Sequence, residues 1–267
     1  VDLKRKVGIM KTKDFISILE RKYPKVLAEE WDNVGLLVGD AEKEVHNILL
    51  ALDVTEEVID FAVTHSFDMI ISHHPIIFRG IKRVLQQDVL GAKIFKLVKH
   101  GINVYTLHTN LDAQKAGLND YILEKLGVTV STVLEKREDG TGIGRMFQYP
   151  EGKSVEEIQK LLSHKLGLSF QRYIGNDMQQ VVHRVCLVNG SGMSYWRMAK
   201  SKGAELFITG DVSYHDALDA KECGMSVIDM GHYEAEHFFA ELLMRDFKHT
   251  LLKFQIFESK PVFQFIK

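Results

Sequence analysis

From residue 48 onward the chain repeats one rhythm, in which a short apolar run stops at a histidine or aspartate, a helical stretch follows, and another apolar run begins. Ile48 to Val54 reads as a strand, Thr55 to His65 as a helix with Glu56 and Glu57 in its first turn, and Asp68 to Ser72 as a strand. A helix or helix pair is expected between Val84 and His100, a third strand over Ile102 to Leu107, and a helix over Leu118 to Leu126. The second half does the same: strands at Val181 to Val188, Glu205 to Thr209 and Ser226 to Met230, helices at Tyr195 to Ser201, Tyr214 to Cys223 and Glu236 to Phe247. Strands that alternate with helices must be joined by crossovers, which implies parallel pairing. The expected fold class is therefore α/β, with two related three-layer α/β halves and mostly parallel sheets.

Ahead of the rhythm, residues 14 to 22 read as an amphipathic helix and Trp31 to Gly39 as a loop entering a strand. Between the halves, Asp139 to Gly144 reads as a hairpin or loop and Val155 to Leu166 as an amphipathic helix. The domain boundary is expected near 130, giving one domain over 10–130 and a second over 131–267. Two C-terminal strands, Leu251 to Phe257 and Val262 to Ile266, can join either sheet.

Ligands of open parallel sheets gather beyond the carboxyl ends of the strands, so polar residues placed where an apolar run stops are the candidates for chemistry. Four such ends stand out: Ser72-His73-His74-Pro75, His108-Thr109-Asn110-Leu111-Asp112, Gly210-Asp211 with His215 and Asp216 behind it, and Gly231-His232 with Glu236 and His237. His108 and Asp112 are four apart, as are His232 and Glu236, so at a helix start each pair can face one point. Imidazole and carboxylate donors without clustered cysteine suit zinc, manganese or iron better than calcium. Each feature also has a plain reading. A histidine doublet is often a hydrogen-bonding pair, Glu236 can be a first-turn acid favoured by the helix dipole, and Asn189-Gly190-Ser191-Gly192 lacks the lysine of a P-loop and reads as a tight turn. His237 does not complete an H-E-x-x-H motif, because it lies five residues after His232.

Composition excludes several classes. With 34 basic against 36 acidic residues, no global field draws the chain to nucleic acid or to an anionic membrane. Neither Cys186 nor Cys223 has the spacing of a zinc or redox pair, and no apolar run is long enough to span a bilayer. The segment before Lys11 is basic and lacks a signal-peptide core, so a cytoplasmic location is expected.

With Trp31-Asp32-Asn33-Val34-Gly35-Leu36, Thr209-Gly210-Asp211 and Tyr214-His215-Asp216-Ala217 added to the ends above, the chain resembles the NIF-three (NGG-one-interacting factor three) family over nearly its whole length. Bacterial members are called GTP cyclohydrolase 1 type 2 homologues. The resemblance implies a NIF-three-like fold and two divalent metal ions per chain, held by His73, His74, Asp112, His232 and Glu236, with Glu236 as the bridge. It places His108 and His215 close by, as supporting or proton-transfer groups. It also implies a ring-shaped homohexamer whose sites face an internal cavity. Five ligands leave two ions short of donors, an open arrangement suited to activating water for hydrolysis of a nucleotide-like substrate. Phosphoester hydrolysis and a non-catalytic interaction role are the alternatives.

Overall fold

The computed structural model describes residues 10–263, which fall into two compact units. The first unit runs up to Leu111 and regains the chain over Phe239–Lys260; the second is built on Asp112–Phe238. Position 130 thus lies inside the second unit, and Asp112, read from sequence with the first half, is the residue at which the second begins.

The first unit opens with β1 (Met10–Lys11) and α1 (Thr12–Lys22), followed by β2 (Gly35–Val38), β3 (Glu44–Val45), β4 (Asn47–Ala51), α2 (Glu56–Thr64), β5 (Met69–Ser72), α3 (Val89–His100) and β6 (Asn103–Thr106). The one-turn helix α4 (Thr109–Ala113) carries the chain into the second unit. There follow α5 (Leu118–Lys125), β7 (Ser131–Lys136), β8 (Gly142–Ser154), α6 (Val155–Leu166), β9 (Arg172–Ile174), β10 (Val181–Leu187), α7 (Trp196–Ser201), β11 (Leu206–Thr209), α8 (Tyr214–Glu222), β12 (Ser226–Asp229) and α9 (His232–Glu236). Back in the first unit lie α10 (Phe239–Phe247) and β13 (Lys253–Ile256).

Local chemistry sets many of these boundaries. The Thr55 hydroxyl accepts from Val58 N at 3.2 Å to cap α2, whose buried face is Val58, Ile59 and Ala62. Ser154 and Glu157 form a reciprocal capping box at the start of α6, and Gly167 ends it in the left-handed conformation at φ +68°.

The first sheet has the order β13-β4-β5-β6-β2, parallel except where β2 runs antiparallel at the edge. Every residue of β5 and β6 is buried, as expected of strands covered on both faces. Leu49, Ile70 and Val104 pack with Val58, Ile59, Ala62, Leu97 and Ile102 from the flanking helices and turns. The second sheet has the order β7-β8-β10-β11-β12-β9 and is parallel only across β10-β11-β12. Parallel pairing therefore holds at the centre of each sheet, while the β7-β8 hairpin and the three-residue β9 add antiparallel edges to the second.

The expected helix over Glu236 to Phe247 is corrected to two pieces, α9 and α10, interrupted at His237 and Phe238. Of the two C-terminal strands, Lys253–Ile256 pairs parallel with β4, whereas Val262 to Ile266 falls partly outside the described residues, and Val262 and Phe263 form no strand.

Candidate metal centre

In the first unit the register of the sheet sets the chemistry. Ser72 pairs with Thr106, so β5 and β6 finish level with one another and hand on to His73-His74 and Leu107-His108 at the same sheet edge. The ladder continues beyond the strands, with Leu107 N donating to Ser72 O at 3.0 Å and His74 N to Leu52 O at 3.0 Å. Ser72 Oγ donates to His74 O at 2.8 Å and so ties the turn ahead of Pro75. Three imidazoles result, with ligand atoms from His73, His74 and His108 all within 4.8 Å of one another.

Each ring is held through the same atom. His73 Nδ1 lies 2.8 Å from Leu107 O, His74 Nδ1 2.8 Å from an Asp53 carboxylate oxygen, and His108 Nδ1 2.8 Å from Asp32. A carbonyl or an ionised carboxylate can only accept, so the Nδ1 atoms carry a proton, and a ring in its neutral form has its lone pair on Nε2. This is the arrangement in which metal-binding histidines are oriented by an outer oxygen. His73 is fully buried, its ring stacked on Phe239 with centroids 5.6 Å apart. Asp32 is buried too. Burial raises its pKa, but hydrogen bonds from His108 and Thr109 outweigh that and hold the carboxyl below its usual range.

In the second unit β11 and β12 finish level, Thr209 pairing with Asp229, and β10 stops one residue short of them, Leu187 pairing with Ile208. Asn189, Asp211 and His232 follow from that edge. Asn189 Nδ2 donates to Asp112 Oδ1 at 2.9 Å and reaches Glu236 Oε1 at 3.4 Å, linking two carboxylates that are both buried. Its own backbone N donates to Asn119 Oδ1 at 3.0 Å, and Asn119 Nδ2 donates to Asp112 O at 3.2 Å. One turn of α9 places His232 Nε2 2.8 Å from Glu236 Oε2, while His232 Nδ1 is 2.6 Å from Asp211. Burial opposes charge on the His232 ring, but the bonds to Asp211 and Glu236 override it and push its pKa up to about 10.

Glycine makes room for this cluster. A Cβ on Gly190, at φ +59°, would meet Glu236 Oε1 at 2.0 Å, and one on Gly210 would meet Gly231 O at 2.6 Å. The Asn189-Gly190-Ser191-Gly192 turn, unremarked as a metal feature in sequence, therefore both supports and clears the carboxylates.

Of the residues singled out from sequence, His73, His74 and His108 come together in the first unit, and Asp112, His232 and Glu236 in the second. His215 belongs to no group of metal-competent donors among the described residues; it is exposed on α8, its ring edge-on to Tyr214 at 5.4 Å. Sequence reasoning named Asp32 only as part of a motif and Asn189 only as a turn residue, and missed Asp53 and the supporting roles of all three. The signal for Asp53 and Asn189 was position, each standing just past a strand.

A family model for Duf34/NIF3 (NGG1p interacting factor 3) matches residues 10–261. The chain belongs to this family. Among curated relatives, a GTP cyclohydrolase 1 type 2 homolog of Clostridium perfringens is 43% identical over 229 residues, 85% of this chain and 87% of the relative. One of Lactococcus lactis is 35% identical over 253 residues, 94% of this chain and 96% of its own length. Among solved structures, a hypothetical protein of Staphylococcus aureus superposes with a TM-score of 0.87 at 29% identity, covering 96% of this chain and 99% of that one. The alignment with curated Staphylococcus aureus relatives runs over 348 positions, more than the 267 residues of this NIF3 chain, so those relatives carry sequence that it lacks. No helix among the described residues is long and apolar enough to cross a membrane.

Proposed function

We propose that this NIF3 protein is a metal-dependent hydrolase of a nucleotide-like substrate, with two divalent ions held by His73, His74, Asp112, His232 and Glu236. The observation that carries the reading is the common anchoring of His73, His74 and His108 through Nδ1 to oxygen acceptors, which aims the Nε2 lone pairs of three clustered rings. The donors fit such ions: imidazole nitrogen and carboxylate oxygen, with no thiolate, favour zinc, manganese or iron. When bound, the ions would supply a Lewis acid and bring the pKa of water toward ~7.

The residues of the chain do the rest. Asn189 orients Asp112 and Glu236, and Asp211 orients His232. His108, backed by buried Asp32, is placed to take up and return a proton at Nε2, as an imidazole held by a carboxylate does. The names of the curated relatives make GTP the first substrate to try, with opening of the guanine ring as the reaction. Assembly as a homohexamer is proposed with it.

Metal content per chain, measured by plasma mass spectrometry on protein purified without chelator, tests the centre. Two ions in the wild type and in His215→Ala, and none in Glu236→Ala, is the expected result; wild-type stoichiometry in Glu236→Ala overturns the bridging assignment. Formate released from GTP supports ring opening, and phosphate release supports phosphoester hydrolysis instead. A metal-loaded assembly that turns over neither GTP nor a phosphodiester refutes the hydrolase and leaves an interaction role. Light scattering gives the oligomer, and a monomer refutes the hexamer.

A further inference from the structure

Trp31 and Phe78 are large aromatic side chains that remain 59% and 47% exposed, although each has a ring contact to His108. Their centroids lie 5.7 Å apart with the planes inclined at 51°, and the His108 ring stands nearly edge-on to both, 6.0 Å from Trp31 and 6.4 Å from Phe78. Two exposed aromatic rings in contact beside a histidine form a small apolar patch of the kind that marks ligand sites.

The surrounding hydrogen bonds fix both rings at their backbones. Asp32, directly after Trp31, accepts from His108 Nδ1, Thr109 N and Thr109 Oγ1, and Asn33 N returns to Asp32 Oδ1 at 2.8 Å. Asn33 Nδ2 donates to Ile77 O at 2.6 Å and so fastens the Trp31 segment to the Phe78 segment. Such fastening is what a binding surface needs if the cost of ordering it is to be met before the ligand arrives. Immediately beyond Phe78 the chain reads Arg79-Gly80-Ile81-Lys82-Arg83, and all three cationic residues are exposed. Among the described residues, Arg83 alone of the three is ion-paired, with Asp88 at 3.7 Å.

We infer that Trp31 and Phe78 form a stacking platform for the base of a nucleotide, with Arg79 and Lys82 on the adjoining loop receiving its phosphate. Planar rings on one side and exposed cations within the next few residues match a heterocycle carrying an anion, and a sugar phosphate without a base would gain nothing from the rings. The inference rests on the proposed function for a nucleotide-like substrate at the chemistry beside His108, and binding can be measured without turnover.

The metal-loaded protein is titrated with GMP and with ribose 5-phosphate by calorimetry, for wild type, Trp31→Ala, Trp31→Phe and Phe78→Ala. Base stacking on an aromatic ring predicts that Trp31→Ala weakens GMP binding by about 5- to 150-fold. Ribose 5-phosphate binding and metal content should be unchanged, and Trp31→Phe should recover most of the affinity. Wild-type fluorescence gives a second readout, because the other tryptophan, Trp196, is 1% exposed and a saturable change with GMP reports on Trp31. Equal GMP affinity in Trp31→Ala and wild type, or GMP bound no more tightly than ribose 5-phosphate, overturns the platform. GMP binding that depends on Trp31 in a protein that fails to hydrolyse GTP supports the platform while removing the hydrolase.

Discussion

Substituting Asn189 by alanine tests whether its amide holds Asp112 and Glu236 in place. The amide donates to Asp112 Oδ1 at 2.9 Å and lies 3.4 Å from Glu236 Oε1, and both acids are more than nine-tenths buried. A hydrogen bond to a charged group contributes about 1.5–3 kcal/mol, and the longer contact to Glu236 adds little at that distance. Asn189→Ala should therefore lose about 1.5–3 kcal/mol of stability in chelator, which for a chain of this size lowers Tm by roughly 3–12 °C. Asn189→Asp sharpens the test. It sets a third carboxylate beside the other two, so it should be less stable than Asn189→Ala at neutral pH and recover as acid protonates the cluster. Urea unfolding in the presence of EDTA, at neutral and mildly acidic pH, measures both. An Asn189→Ala variant within about 0.5 kcal/mol of wild type would refute the reasoning, because a loss that small is typical of a surface substitution away from any such network.

Three further outcomes follow from the same packing. Gly190→Ala would bring a Cβ to 2.0 Å from Glu236 Oε1 at a backbone with φ +59°, so Glu236 must move and metal content should fall while the fold, read by circular dichroism, persists; full metal occupancy would refute it. Arg145 is buried and grips Asp120 through Nε at 2.6 Å and Nη2 at 2.8 Å, so Arg145→Ala should cost about 3–5 kcal/mol in denaturant unfolding, a loss under 1 kcal/mol counting against it. Glu42 is exposed, and hydrogen bonds from Lys13 and Lys11 draw its carboxyl down to about 2. Its folded value lies below the unfolded one of about 4.3, so its contribution is complete above that pH and is lost as pH falls toward 2; Glu42→Gln should flatten the acid limb of the stability profile in that window.

What was legible in the sequence was what periodicity and strand ends can encode. The helix read over Thr55 to His65 is found at Glu56–Thr64, and that over Val155 to Leu166 at the same residues, because capping side chains mark their starts. The break between α9 and α10 was not legible: an apolar pattern runs straight through His237-Phe238, while in the structure the interruption coincides with the burial of Phe238 under Lys125, a residue far away in the chain. The β9 edge was missed because three residues carry no period.

The candidate centre divides in the same way. Histidines that end an apolar strand announce themselves, since nothing in a strand requires an imidazole there. The acceptors that aim them do not, because a carboxylate beside a histidine is a spatial relation: Asp32 reaches His108 across 76 positions of chain and Asp53 reaches His74 across 21. Asn189 is harder still, being an ordinary turn residue until Asp112, 77 positions away, accepts its amide. A sequence thus exposes the groups that can bind a cation and conceals the ones that fix their tautomer and direction. It is the second set that separates a chance meeting of histidines from a prepared site: Asp53→Asn would leave every proposed ligand in the chain while removing the acceptor charge that favours the Nδ1 tautomer of His74, and the expected cost is on the order of 10- to 100-fold in metal affinity. Unchanged affinity in Asp53→Asn, measured by competition with a chromophoric chelator, would show that the anchoring has no part in holding metal.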